Sequence, residues 1–122
     1  ERALTVFGRE GLDEISISGE TLVGELRNGE VSEYIVTPQQ FGFGVHDIST
    51  LQVATVEESR DRILKALHNE PGAERDVVAL NAGAAIYAAG IADSLADGVE
   101  QARASLASGA ALSKLESLRA FG

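Results

Sequence analysis

Residues 21–37, TLVGELRNGEVSEYIVT, carry the signal that decides the first third of this fold. Asn28-Gly29 stands between two runs rich in apolar and β-branched residues, and this dipeptide readily adopts the positive φ angles of a type I′ turn. The segment therefore predicts an antiparallel hairpin with strands from Thr21 to Arg27 and from Glu30 to Thr37. Its apolar alternation is imperfect, so we expect a surface flap with one face exposed to water.

Upstream of the hairpin, the pattern indicates two further extended pieces. Residues 2–7 form a short apolar run that ends at Gly8, which is typical of a strand buried on both faces in a parallel sheet. Ile15 and Ile17 alternate with serines, and this period of two suggests a second extended piece before Gly19. The first third of the chain is therefore expected to be β structure.

Downstream of Pro38 and the stretch FGFG at 41–44, the apolar period becomes helical. The second predicted helix carries small residues on all its faces, so neighbouring elements can approach it closely from several sides. We therefore expect it to lie centrally in the core. The four helices are expected from Glu57 to a stop at Asn69, from Ala73 to Gly90, from a cap at Ser94, and after the interruption at Ser108-Gly109.

The buried faces of two helices can also be predicted. The first helix presents four apolar side chains on one face, and the last presents a stripe of three leucines. The predicted faces consist of Val56, Ile63, Leu64 and Leu67 in the first helix, and of Leu112, Leu115 and Leu118 in the last.

The predicted fold class is α/β, in which a strand of a central, mostly parallel sheet and an antiparallel hairpin precede a helical cluster.

Length and composition exclude several classes of protein. A chain of 122 residues is one domain or a piece of one. Its formal charge of -9 disfavours nucleic acid and anionic membranes as partners. The absence of cysteine excludes disulfides and thiolate metal sites. There is also no methionine, and a strand follows Glu1 at once, so we expect the chain to be a piece of a longer protein.

The most suggestive site is the loop after the first strand, GREGLDE at residues 8–14. Two adjacent carboxylates on an irregular loop, Asp13 and Glu14, can converge on a hard cation such as Mg²⁺, which takes one or two carboxylates beside water and substrate phosphates. An adjacent acidic pair is also ordinary in a chain with 19 acidic residues. The second pair, Glu57-Glu58, is better explained by the dipole at a helix N-terminus.

Other polar residues give weaker indications. His46 and His68 lack the spacing of a zinc site, so His68 is expected simply near a helix end and His46 in a polar loop. The GFG stretch at 42–44 lacks the third glycine of a dinucleotide fingerprint. Three basic residues of the helical region could line an anion groove, although scattered surface cations are the ordinary explanation. These residues are Arg103, Lys114 and Arg119.

Six segments in order resemble the C-terminal part of the anthranilate phosphoribosyltransferase family. The likeness extends over nearly the whole chain, from the first strand to the last helix. The segments read ALTV at 3–6, GLDEIS at 11–16, VGELRNGEVSEY at 23–34, TPQQFGF at 37–43, RDVVALNAGAAIYAAG at 75–90 and SLADGVEQARASLASGAALSKLESL at 94–118.

The resemblance implies a small helical N-terminal domain and a larger α/β domain, of which residues 1–122 would be the last part. It also implies a cytoplasmic, homodimeric enzyme of tryptophan biosynthesis that joins anthranilate to phosphoribosyl pyrophosphate. In the family, Mg²⁺ binds an adjacent Asp-Glu that matches Asp13 and Glu14. The other donor-binding and anthranilate-binding motifs, and the dimer contacts, would lie upstream. No catalytic or substrate-binding residue is therefore expected here, and the piece alone should be inactive.

Two alternatives remain open from the sequence. Pyrimidine nucleoside phosphorylases share the fold that the resemblance implies, and they would use phosphate as the nucleophile. A non-catalytic binding paralogue would keep the same fold without the chemistry. The C-terminal part of such phosphorylases usually carries an additional domain, for which this chain has no room, so the phosphoribosyltransferase is the preferred interpretation.

Overall fold

The computed structural model describes all 122 residues as a three-stranded sheet followed by four helices. Two short 3₁₀ turns, Pro38–Phe41 and Ile48–Leu51, connect the two parts. The strands are β1 (Arg2–Gly8), β2 (Thr21–Arg27) and β3 (Glu30–Val36), and the helices are α1 (Val56–Leu67), α2 (Ala73–Ala88), α3 (Leu95–Ser108) and α4 (Ala110–Phe121).

The predicted hairpin is confirmed. β2 and β3 pair antiparallel with Arg27 opposite Glu30, and the turn residues Asn28 and Gly29 have φ angles of 54° and 79°. Both angles are positive, as the type I′ turn requires. The hairpin therefore forms where its local turn signal predicts it.

β1 differs from the expectation of a strand buried on both faces in a parallel sheet. Within this chain its partner is β2, to which it runs antiparallel in the order β1-β2-β3. Leu4 and Val6 face the core, while the alternate residues Thr5 and Phe7 are exposed. Only alternate side chains of β1 are buried, because no element of the chain covers the outer face of the sheet.

The sheet packs on the helices through one face only, as expected for a flap. Thr21, Val23 and Glu25 of β2 are buried on the inner face. Ile15 and Ile17 are buried as well, but they belong to an irregular segment and the intervening Ser16 is equally buried, so the predicted second extended piece is wrong.

The predicted helices are confirmed with small shifts at their ends, and α2 lies centrally. It contributes seven buried residues and packs against α3 through a pair of glycines. Ser94 caps α3 by accepting a hydrogen bond from the Asp97 backbone, and Gly109 ends α3 with a φ of 82°. The local cap signals therefore set these helix boundaries.

The predicted faces of α1 and α4 are only partly correct. Val56 and Ile63 are 82% and 55% exposed, and Leu118 is 65% exposed. The remaining members, Leu64, Leu67, Leu112 and Leu115, are half-buried. α1 and α4 flank the α2–α3 pair and enclose an open groove between them, so their apolar stripes are not fully covered within this chain.

None of the four helices combines the length and apolarity needed to cross a bilayer.

Candidate metal site on the loop after β1

A compact turn follows β1 and carries the chain to the acidic pair. The Gly8 amide donates to the carbonyl of Leu12 at 2.9 Å, and the Gly11 amide donates to the carbonyl of Gly8 at 2.9 Å. Gly11 has a φ of 93°, a conformation that L side chains rarely adopt. A Cβ at Gly8 would lie 3.2 Å from the Leu12 Cβ and 3.4 Å from the Glu14 carbonyl oxygen. Glycine at both positions therefore permits the tight turn.

Asp13 and Glu14 lie at the end of this turn with both side chains exposed. Neither carboxylate forms an ion pair with a basic side chain, although Arg9 in the same loop pairs with Glu20 at 2.9 Å. The adjacent acidic pair predicted from the sequence is thus accessible and has no salt-bridge partner.

The three residues that follow the pair are buried, and each has a backbone group hydrogen-bonded to another part of the chain. The amide of Ile15 donates to Asn81 Oδ1 at 2.8 Å, and its carbonyl accepts from Asn81 Nδ2 at 3.0 Å. The Ser16 amide donates to Thr21 Oγ1 at 2.9 Å. The Ile17 carbonyl accepts from the His46 amide at 2.9 Å. We call Ile15, Ser16 and Ile17 the pedestal, because they anchor the exposed acidic pair to the core.

The donor set of the loop fits Mg²⁺. Two carboxylates supply hard oxygen ligands, and Mg²⁺ characteristically leaves its other positions to water and phosphate oxygens. The structure contains no group of three or more His, Cys, Asp or Glu side chains arranged to hold a metal. Any ion held here would therefore keep most of its coordination sphere for groups outside the chain.

Neither histidine joins the loop as a ligand. His46 Nε2 lies 2.8 Å from Asp76 Oδ2 in α2, which ties the segment after Gly44 to that helix. His68 is the exposed C-cap residue of α1, in agreement with its predicted place near a helix end. His46 contributes to the site only through its backbone amide, which supports Ile17.

A buried carboxylate that the sequence did not single out lies under the sheet. Glu25 accepts hydrogen bonds from the hydroxyls of Tyr34, at 2.6 Å, and of Tyr87. Burial alone would raise the pKa of Glu25, but the two hydroxyls and the positive charges of Arg27 and Arg2 outweigh it and lower that pKa. Burial and the Glu25 carboxylate raise the pKa of both tyrosines. Glu25 therefore stays ionised and joins β2 to α2.

The three basic residues considered for an anion groove are not brought together. The Arg103 guanidinium lies 4.0 Å from the centre of the Phe43 ring and donates to the Phe41 carbonyl. Arg119 instead borders the groove between α1 and α4, which Arg103 and Lys114 do not line. Their separation supports the ordinary explanation of dispersed cations.

Asn81 is the functional candidate that sequence reasoning missed. It is the one polar residue in the uncharged run from Val77 to Ala92 apart from the Tyr87 hydroxyl. Asn81 is half-buried, and an amide withdrawn from water requires hydrogen-bond partners, so its isolation among apolar residues was the available signal. Its partner, the backbone of Ile15, lies 66 positions away and could not be read from local pattern.

The chain is similar to known proteins along nearly its whole length. Residues 1–112 match the family described as glycosyl transferase family, a/b domain. Over 97% of its length the chain is 51% identical to the anthranilate phosphoribosyltransferase of Paracidovorax citrulli, of which it covers 34%. The crystal structure of anthranilate phosphoribosyltransferase from Thermus thermophilus matches with a TM-score of 0.87 and 40% identity, over 98% of this chain and 35% of that one.

A more distant structure is similar too. Anthranilate phosphoribosyltransferase from Saccharomyces cerevisiae in complex with PRPP and Mg matches with a TM-score of 0.73 and 25% identity, over 93% of this chain and 33% of that one. The chain thus spans about a third of the length of the relatives it matches. The resemblance and the fold class inferred from the sequence are confirmed by these matches.

Proposed function

The chain belongs to the glycosyl transferase family with an a/b domain, and on that premise we propose that it forms part of a Mg²⁺-dependent anthranilate phosphoribosyltransferase. The enzyme would join anthranilate to the ribose carbon of phosphoribosyl pyrophosphate and release pyrophosphate, in tryptophan biosynthesis. Bacterial relatives at 51% and 53% identity carry this name, and the yeast relative has been observed with PRPP and Mg.

The acidic pair is the observation that carries the proposal. Asp13 and Glu14 are exposed, have no basic partner and stand on a buried pedestal. Glu57 and Glu58 show the contrasting case of an acidic pair with a folding role, because they lie in the first turn of α1 and the Glu58 amide is capped by Thr55. Asp13 and Glu14 have no such local role, which favours an external cation as their partner.

The proposed chemistry matches what these residues can supply. Departure of pyrophosphate builds negative charge on the leaving group, and a bound Mg²⁺ would stabilise that charge. Asp13 and Glu14 would hold the ion, and the turn after β1 would keep both carboxylates at one end of the sheet. The chain itself carries a formal charge of -9, so an anionic donor needs an intervening cation to approach this loop.

The remaining assignments follow from the same proposal. Residues 1–122 would be the last part of a larger α/β domain, in a cytoplasmic protein that dimerises through residues outside this chain. The groups that bind anthranilate and the donor's ribose would also lie outside it. We therefore assign no catalytic or anthranilate-binding residue to this chain.

Substitution of the pair tests the proposal. In the complete gene product, Asp13→Asn and Glu14→Gln should each weaken Mg²⁺-dependent binding of phosphoribosyl pyrophosphate by about 10-fold or more, and turnover should fall as well. Calorimetric titration with and without Mg²⁺ measures the first effect. Glu57→Gln removes an exposed charge on α1 and serves as the control. Unchanged donor affinity and turnover in both loop variants would remove these carboxylates from the mechanism.

A further inference from the structure

The Asn81 side chain forms two hydrogen bonds with the backbone of Ile15, the residue that directly follows the acidic pair. Its Oδ1 accepts from the amide of Ile15, which belongs to the peptide that joins Glu14 to Ile15. Its Nδ2 donates to the carbonyl of Ile15, which belongs to the next peptide. One side chain therefore fixes the peptide planes on both sides of Ile15, immediately after Glu14.

The orientation of this amide is determined by its partners. Nδ2 donates a second hydrogen bond, at 3.0 Å, to the carbonyl of Val77 one turn earlier in α2. Two carbonyl acceptors require the NH₂ group, and the amide donor of Ile15 requires the oxygen, so a flipped side chain would lose all three bonds. Asn81 is thus held rigidly by the helix that carries it.

The helix behind Asn81 is itself a fixed support. Leu80, its neighbour in sequence, is fully buried. Gly83 lies so close to α3 that an added Cβ would approach the Val99 Cα to 2.5 Å. A side chain on this part of α2 therefore has a fixed position relative to the core, and its hydrogen bonds can fix the position of the loop.

We propose that Asn81 is the positioning residue for the acidic pair, because its amide brackets Ile15 and so sets the backbone that presents Asp13 and Glu14 to the cation. This inference rests on the proposed function, since it assumes that the pair holds Mg²⁺. Groups behind metal ligands orient them, and their loss commonly costs 10- to 100-fold in metal affinity.

Two substitutions of Asn81 test the inference in the complete gene product. Asn81→Leu keeps the branched shape and the number of side-chain heavy atoms but leaves both the amide and the carbonyl of Ile15 without this partner. Asn81→Asp keeps an acceptor for the Ile15 amide but replaces the NH₂ group by a carboxylate oxygen, which then faces the carbonyls of Ile15 and Val77. Tyr87→Phe is the matched control, because it removes a buried hydrogen bond from the same helix without touching the loop.

Two measurements do not depend on turnover. Calorimetry of phosphoribosyl pyrophosphate over a series of Mg²⁺ concentrations should give a Mg²⁺ requirement raised about 10-fold or more in both Asn81 variants. Amide hydrogen exchange should speed up at Ile15 in Asn81→Leu and less in Asn81→Asp. Tyr87→Phe should shift neither reading, even where it lowers the denaturation midpoint.

The outcomes separate this inference from the proposed function. Suppose that Asp13→Asn and Glu14→Gln abolish Mg²⁺-dependent binding of phosphoribosyl pyrophosphate. If the Asn81 variants then show the same Mg²⁺ requirement as Tyr87→Phe, the positioning role is overturned and the proposed function stands. Unaffected binding in Asp13→Asn and Glu14→Gln would overturn both. A raised requirement in the Asn81 variants that excess Mg²⁺ reverses would support the inference.

Discussion

At the scale of single residues, the chain uses its carboxylates in two opposite ways. Glu25 is buried and receives two tyrosine hydroxyls, whereas Asp13 and Glu14 are exposed without a basic partner. A buried carboxylate is tolerated only when hydrogen bonds and opposite charge compensate its lost hydration. Glu25 meets that condition and therefore serves the fold, while the exposed loop pair is free of such a structural role, as the proposed Mg²⁺ binding would require.

Replacing Glu25 should destabilise the protein in a pH-dependent way. Glu25→Gln places an amide donor against two hydroxyls and removes the charge that Arg27 and Arg2 compensate, so we expect a loss of about 1–3 kcal/mol in unfolding free energy at pH 7. The folded-state pKa of Glu25 lies below its ordinary value of 4.5. Its stabilising contribution is therefore complete above that value and is lost as the pH falls through the lowered pKa.

Urea denaturation of both proteins at pH 7 and at successively lower pH below 4.5 checks this prediction. The difference between Glu25→Gln and the parent should be constant at neutral pH and shrink on acidification. Glu33→Gln, on the exposed face of the same sheet, should leave the midpoint unchanged at pH 7. If the difference in unfolding free energy between Glu25→Gln and the parent grew on acidification, Glu25 would not be a carboxylate whose pKa is lowered by folding.

At the scale of elements, α2 and α3 are joined by their glycines. A Cβ at Gly83 would lie 2.5 Å from the Val99 Cα, and a Cβ at Gly98 would lie 2.3 Å from the Gly83 carbonyl oxygen. The nearest atoms are backbone, which cannot rotate away as a long side chain can. The small residues that marked α2 as central therefore permit direct contact between the two helix backbones.

Gly83→Ala should consequently destabilise the protein, although alanine is the better helix former by about 1 kcal/mol. The two helices would have to separate, and overpacking of this kind costs about 1–3 kcal/mol or more. Ala85→Gly on the exposed side of α2 is the comparison, because there only propensity acts. Denaturation midpoints measure both. A midpoint raised by Gly83→Ala would show that the helices are not in close contact.

The elements that could be predicted are those with local signals. The Asn28-Gly29 turn, the Ser94 cap and the Gly109 stop depend on a few neighbouring residues, and each was confirmed. The inward orientation of Glu25 depends on Tyr87, 62 positions away. The burial of Ile15 similarly depends on Asn81. Such long-range partners leave no local pattern, so the sequence located the acidic loop but not its support.

At the scale of the whole molecule, the chain exposes more surface than a folded monomer of its mass normally does. Its accessible surface is 7345 Å², against about 6,300 Å² expected for 12.8 kDa. The excess includes the outer face of the sheet, where one cross-strand row aligns Phe7, Leu22 and Ile35, all more than 40% exposed. The outer edges of β1 and β3 are unpaired as well.

We therefore predict that the isolated 122-residue chain is marginally stable. Apolar rows and open strand edges in contact with water favour association over a monomeric fold. The chain should bind a hydrophobic dye, show a broad thermal transition and associate as its concentration rises. Leu22→Thr combined with Ile35→Thr should reduce dye binding and association, because it replaces two exposed apolar side chains of this row by polar ones. Threonine also has a high β propensity, so the strands should be retained. A sharp, cooperative melt of the unaltered monomer, without dye binding, would show that the outer face needs no cover.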